Sequence, residues 1–295
     1  EADVGVGILG VEGTQARRAS DYSVAEFRFL VRLLLVHGRS NYRRVCLVFV
    51  YSVYKNVTMV ITLFLFGLDF AFSGASLYDG ALMAVFNVFF TFAPVIAHGC
   101  CELDLSPELM LAFPQVYQPG QRDAGLNAGV VLGWLAHALL HALVIYSVGS
   151  ACLGSCANDP LALDATVRGT AVNGLLVMVV SGKLALHTSH WTAVNVLFAG
   201  GSMALWFLFV GASAVVGGSG AHADGAGGLG KQLPAFAEAG PHVLAMPGFW
   251  LAALLVTTVA LAVDFAVAQA SAMFRPSRQR ILAELDRCDV PAVAR

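Results

Sequence analysis

Six separate runs in this chain are long enough and apolar enough to cross a bilayer. They lie at about 45–69, 80–99, 128–149, 169–187, 191–214 and 248–272. The hydrocarbon of a bilayer is roughly 30 Å thick and takes about 20 helical residues to span. Isolated spanning segments must satisfy every backbone polar group internally, so each run is expected to be a helix. Composition agrees: 58% of the 295 residues are hydrophobic and 12% are charged, against roughly 25% charged in an average soluble domain. That leaves too little polar surface to coat a water-soluble globule. The expected fold class is therefore an α-helical polytopic membrane protein with six transmembrane helices. A net charge of −2 gives no electrostatic case for a nucleic-acid or acidic partner.

Basic residues set the orientation. Arg28, Arg32, Arg39, Arg43 and Arg44 precede the first run, and Arg275, Arg278, Arg280 and Arg287 follow the last. The intervals on the opposite side carry only Arg168 and Lys231, so both termini are expected in the cytoplasm. Residues 45–275 then form the six-span domain and 276–295 a cytoplasmic tail. Residues 24–44 read as a helical stalk running into the first span. Residues 1–23 differ in kind: ADVGVGI suggests a buried strand and GVEGTQARRASD a polar loop. The opening EADVGVG has no initiator Met and no signal-peptide pattern, and it reads as the interior of a domain belonging to a longer protein.

Several residues carry chemistry. Lys55 lies about 15 Å along the first span from Val45, with no acid between Val50 and Leu68. A lysine at mid-depth costs roughly 2.5–3.5 kcal/mol on insertion scales, so it should face a polar crevice or be partly neutral. Asn56 beside it and Asn87 in the next span need hydrogen bonds, which could join helices or hold a ligand. Pro94 frees a backbone carbonyl one turn back, near Phe90. Lys183 is expected near the cytoplasmic end of its span, where it can snorkel to the interface. Asp264 is expected to find a basic or polar neighbour. His137 and His141 share a helix face at a spacing that can bind a metal, but no third ligand is evident from the sequence, so packing or hydrogen bonding is their expected role and no metal site is expected. Cys152 and Cys156 either form a disulfide or are small apolar loop residues. Gly5-Val-Gly7-Ile-Leu-Gly10 fits a dinucleotide fingerprint, yet no βαβ unit follows it, so nucleotide binding there is rejected.

Those same first residues fit another pattern. Ala2-Asp-Val-Gly-Val-Gly-Ile8, Gly10-x-Glu12-Gly13-x-Gln15-Ala16 and Ala19-Ser-Asp21-Tyr22 resemble the end of the phosphorylation domain of type-IV P-type ATPases, the phospholipid flippases. The resemblance continues through Phe27 to Tyr42, Tyr54-Lys55-Asn56, Phe72-Ser-Gly74, and Phe86-Asn87-Val88 with Thr91 and Pro94. It then covers Phe113-Pro-Gln-Val-Tyr117, Lys183 with His190-Trp191-Thr192, Ala204-Leu-Trp206, Phe249-Trp250, Asp264 and Pro276. It implies the fifth to tenth spans of a ten-span transporter, with a short α/β remnant of the phosphorylation domain at 1–23, where Asp3, Glu12 and Asp21 would serve the fold. It also implies that Lys55 lies on the lipid headgroup path, with Tyr54, Asn56, Asn87 and Pro94 lining it.

The implied cofactors are ATP and Mg2+, bound by segments that this chain does not contain. DKTGT and DGET, which the family uses for phosphorylation and dephosphorylation, are absent from the sequence, so the chain alone should not hydrolyse ATP. The implied partners are a phospholipid substrate and a two-span accessory subunit, and the implied location is the plasma membrane or secretory and endosomal membranes. Two rival readings remain: a non-catalytic truncated fragment, and a cation-transporting P-type ATPase. The second would need several carboxylates in its spans, and only Asp264 and the marginal Asp69 are available.

Overall fold

A computed structural model describes residues 3–8, 18–74, 76–78, 80–154, 165–219, 239–274 and 278–287. Glu12, Cys156, Lys231 and Pro276 lie outside the described residues, and with them the Cys152–Cys156 pair. Six helices are long and apolar enough to cross a membrane: α1 (Phe29–Asp69), α2 (Leu82–Cys101), α3 (Ala128–Gly154), α4 (Ala165–His187), α5 (Ala193–Ser219) and α6 (Pro247–Phe274). The fold is an α-helical polytopic membrane domain with one small sheet.

That sheet pairs β1 (Val6–Ile8) with β2 (Tyr22–Val24) in parallel, Val6 opposite Tyr22. The strand is where the alternating apolar pattern put it, but it is not buried. Val6 and Ile8 are 38% and 49% exposed, because no second layer covers the pair among the described residues; a parallel sheet is stable when both faces are covered.

The chain divides into two compact units. One comprises residues 1–46, 103–127 and 275–295, the other 47–102 and 128–274. In the first, Val36, Leu105, Met110 and Val116 form a small core with Phe113, Leu282 and Ala283. Arg39 there is buried and donates to both oxygens of Asp104, at 3.0 and 2.7 Å, and to the Val116 carbonyl at 3.3 Å. Arg43 pairs with the same carboxylate from the exposed side. Burial pushes the Asp104 carboxyl up, but the two guanidinium groups outweigh it and hold the group below the usual carboxylate range.

In the second unit, α4 is the central helix. Residues from Val167 to Leu184 are buried along almost its whole length. Between membrane helices, association depends on close packing rather than on a hydrophobic difference from lipid, so small residues mark the contacts. Gly174 shows why: a Cβ there would lie 2.5 Å from the Trp206 ring of α5. The indole in turn donates to Asn173 Oδ1 at 3.1 Å and stacks on Phe249 of α6. The helix α6 packs against α3 and α4, and α5 against α2 and α4.

Candidate functional site

Pro94 explains the local shape of α2. Proline removes a backbone donor and its ring crowds the carbonyl four residues earlier, here that of Phe90. The helix accommodates this with a π turn over Phe86–Phe90 and a break at Thr91 (φ −126°, ψ −9°); such turns recur at functional sites. The freed Phe90 carbonyl accepts a hydrogen bond from the Ser202 hydroxyl of α5. The Thr91 hydroxyl donates to the Phe86 carbonyl at 2.9 Å.

Lys55 reaches this break from α1. It is 6% exposed, its Nζ donates to Thr91 Oγ1 at 2.6 Å, and it lies 5.9 Å from the centre of the Phe86 ring. No carboxylate pairs with it among the described residues. Asn56 and Asn87 are exposed on α1 and on the π turn, while Pro94 is buried beside a shallow recess lined also by Ser181, Thr188, Trp191 and Asn195. Thr91, whose hydroxyl receives the lysine, was read from sequence only as part of the family resemblance and not as a site residue; its place one turn before Pro94 is the signal that could have assigned it.

Tyr54 points elsewhere. It is fully buried, its hydroxyl lies 2.6 Å from His141 Nδ1, and its ring packs edge-on against Trp134 and His141. It borders a second polar cluster. Lys183 Nζ donates to both oxygens of Asp264, at 3.0 and 2.9 Å, and sits 4.7 and 4.8 Å from the ring centres of Tyr54 and Trp134. His137 Nδ1 is 2.5 Å and His141 Nε2 3.5 Å from Asp264 Oδ1.

Two expectations are corrected here. Lys183 does not snorkel to an interface: it is buried, because a carboxylate and two aromatic faces replace its water. And the two histidines do have a third group, Asp264, with the three ligand atoms within 4.8 Å of one another. Neither was legible because α3, α4 and α6 supply these residues from distant parts of the chain.

A family model described as "Phospholipid-translocating P-type ATPase C-terminal" matches residues 17–277. The chain belongs to this family. Among curated relatives of this phospholipid-translocating P-type ATPase chain, "Probable phospholipid-transporting ATPase 7" of Arabidopsis thaliana is 40% identical over 71% of the chain and 17% of its own length. "Phospholipid-transporting ATPase C887.12" of Schizosaccharomyces pombe is 33% identical over 98% of the chain and 22% of its own length. "Probable phospholipid-transporting ATPase IM" of Homo sapiens is 36% identical over 88% and 21%. The chain therefore spans 17 to 22% of the length of these relatives. The carboxylates that a cation pump would need are both engaged: Asp264 as above, and Asp69 by the Tyr146 hydroxyl at 2.5 Å and Arg168 at 3.3 Å.

Proposed function

We propose that this chain is the C-terminal membrane half of an ATP-driven phospholipid flippase that moves lipid from the exoplasmic to the cytoplasmic leaflet. In the intact enzyme, ATP and Mg2+ bind to segments outside this chain, and the chain alone is inactive as an ATPase. The observation that carries the reading is Lys55: a buried ammonium held by a neutral hydroxyl and facing no carboxylate among the described residues. A charge in such a site is stabilised by an arriving anion, and the phosphate of a lipid headgroup supplies one. Asn56 and Asn87, exposed on the same two helical segments, offer donors and acceptors to the headgroup, and the opened backbone before Pro94 follows Asn87 in the π turn.

Pairing of Asp264 and Asp69 with groups of the chain itself speaks against the cation-pump reading. The boundaries follow from this function: 1–23 is the end of the phosphorylation domain, 24–44 the stalk that transmits its movement, 45–275 the membrane domain and 276–295 a cytoplasmic tail. Both termini face the cytoplasm of a plasma, secretory or endosomal membrane, and a two-span accessory subunit completes the assembly.

The test uses the full-length protein reconstituted in phospholipid vesicles. Lys55→Met should abolish the stimulation of ATP hydrolysis by substrate lipid. Stimulation equal to that of the wild type would end this reading of Lys55.

A further inference from the structure

We propose that Tyr54 and the Lys183–Asp264–His141 cluster behind it form a rotational clamp that aims the Lys55 ammonium, which makes Tyr54 and Asp264 positioning residues for transport. The inference rests on the assignment of Lys55 to the headgroup path. Consecutive residues on an α-helix point about 100° apart around its axis, so Tyr54 and Lys55 face different neighbours. Lys55 points to Thr91 at the break in α2. Tyr54 points to α3 and α4, where its hydroxyl meets His141 and its ring lies on the Lys183 ammonium. One turn earlier on the same face, the Tyr51 hydroxyl donates to the Val180 carbonyl of α4 at 3.1 Å. Turning α1 about its axis moves Lys55 Nζ only by pulling both phenols off their partners.

The chemistry of the cluster suits an angular constraint. Apolar packing would join these helices without the cost of burying ions, which is several kcal/mol each, but it is non-directional. Hydrogen bonds and a cation over a ring face fix an angle. Asp264 is the keystone, since Lys183, His137 and His141 all converge on it. Removing it leaves Lys183 without a counter-charge and frees His141 and the Tyr54 ring from their fixed neighbours. The histidines and Asp264 also have the composition of a divalent-metal site. However, Lys183 already donates to both carboxylate oxygens, and its positive charge opposes a second cation there.

The experiment compares the lipid dependence of ATP hydrolysis by the full-length protein in vesicles for the wild type, Lys55→Met, Tyr54→Phe, Asp264→Asn and Asp264→Glu. Tyr54→Phe and Asp264→Asn should raise the lipid KM by about tenfold with a smaller change in kcat, and Asp264→Glu should recover most of the loss. A purely structural role lowers the yield of folded protein and leaves KM in place. If Asp264→Asn folds poorly, Tyr54→Phe, which keeps the ring, carries the test. A wild-type KM in folded Tyr54→Phe, with Lys55→Met unresponsive to lipid, overturns the clamp alone. Normal lipid stimulation of Lys55→Met overturns the headgroup assignment and the clamp with it. A wild-type KM that shifts on addition of a zinc-selective chelator overturns the clamp in favour of a metal site.

Discussion

Among the described residues two lysines are buried, and the fold treats them in opposite ways. Lys183 is enclosed by its own neutralising set: a carboxylate bonded through both oxygens and two aromatic faces. Lys55 is almost as deeply buried, yet its ammonium has one hydroxyl and a ring at 5.9 Å. A buried charge costs free energy unless it is paired and hydrogen-bonded. The first lysine therefore belongs to the folded structure, and the second is held at a cost that an anionic ligand, as proposed, would relieve. On the proposed reading, the headgroup path passes the place where the fold leaves a charge incompletely satisfied.

Neutralising each lysine in turn breaks this comparison in opposite directions. Lys183→Met leaves the Asp264 carboxylate buried without its ammonium, and removing one partner of a buried pair costs about 3–5 kcal/mol. Thermal unfolding of the full-length protein in lipid nanodiscs should show a large drop. Lys55→Met removes a charge that has no carboxylate partner among the described residues, and it should raise stability by about 2.5 kcal/mol while lipid stimulation is lost. If both substitutions destabilise equally, Lys55 is as well satisfied as Lys183 and the distinction fails.

How much of this the sequence revealed follows from range. The six spans, the strand at Val6–Ile8 and the cost of Lys55 were legible, because each depends on a local run of residues. The turn at Phe86–Phe90 was half legible: Pro94 announced a freed carbonyl, but not that Ser202, on α5, would occupy it. The Lys183–Asp264 pair was also half legible: Asp264 was expected to find a basic or polar neighbour, and it did, but nothing named Lys183 as that neighbour. Depth along a helix was read from Lys183, whereas its partner depends on the packing of α6 against α4, which periodicity does not record. Tyr54 shows the same limit, since its place beside Lys55 in the chain said nothing of the different face it occupies.

A second buried ion pair, in the unit that contains residues 103–127, calibrates the comparison. Arg39 and Asp104 are 5% and 8% exposed at their side chains, so Asp104→Asn should cost about 2 kcal/mol, the worth of a hydrogen bond to a charged group. Its pH dependence has a definite sign. The Asp104 carboxyl is held below its ordinary value in the folded state, so its contribution is complete above the unfolded value of about 4 and is lost as pH falls through the folded one. Unfolding of the wild type measured across that acidic range should show a fall that Asp104→Asn lacks. Parallel curves for the two proteins would count against the pair.

The smallest effect tests the single bond that holds Lys55. Thr91 accepts from Nζ and donates to the Phe86 carbonyl, so Thr91→Val keeps the shape of the side chain and removes both links. The expected loss is about 1 kcal/mol, read as a modest drop in thermal stability, and Thr91→Ser should show none. Combination with Lys55→Met separates the two links. If the lysine bond carries most of the value, Thr91→Val should cost clearly less in the Lys55→Met background than in the wild type, because contacting residues are not additive. Full additivity would mean that Thr91 serves only the π turn. Lys55 would then be held by burial alone, and the contrast with Lys183 would be sharper than the one drawn from the hydrogen bonds.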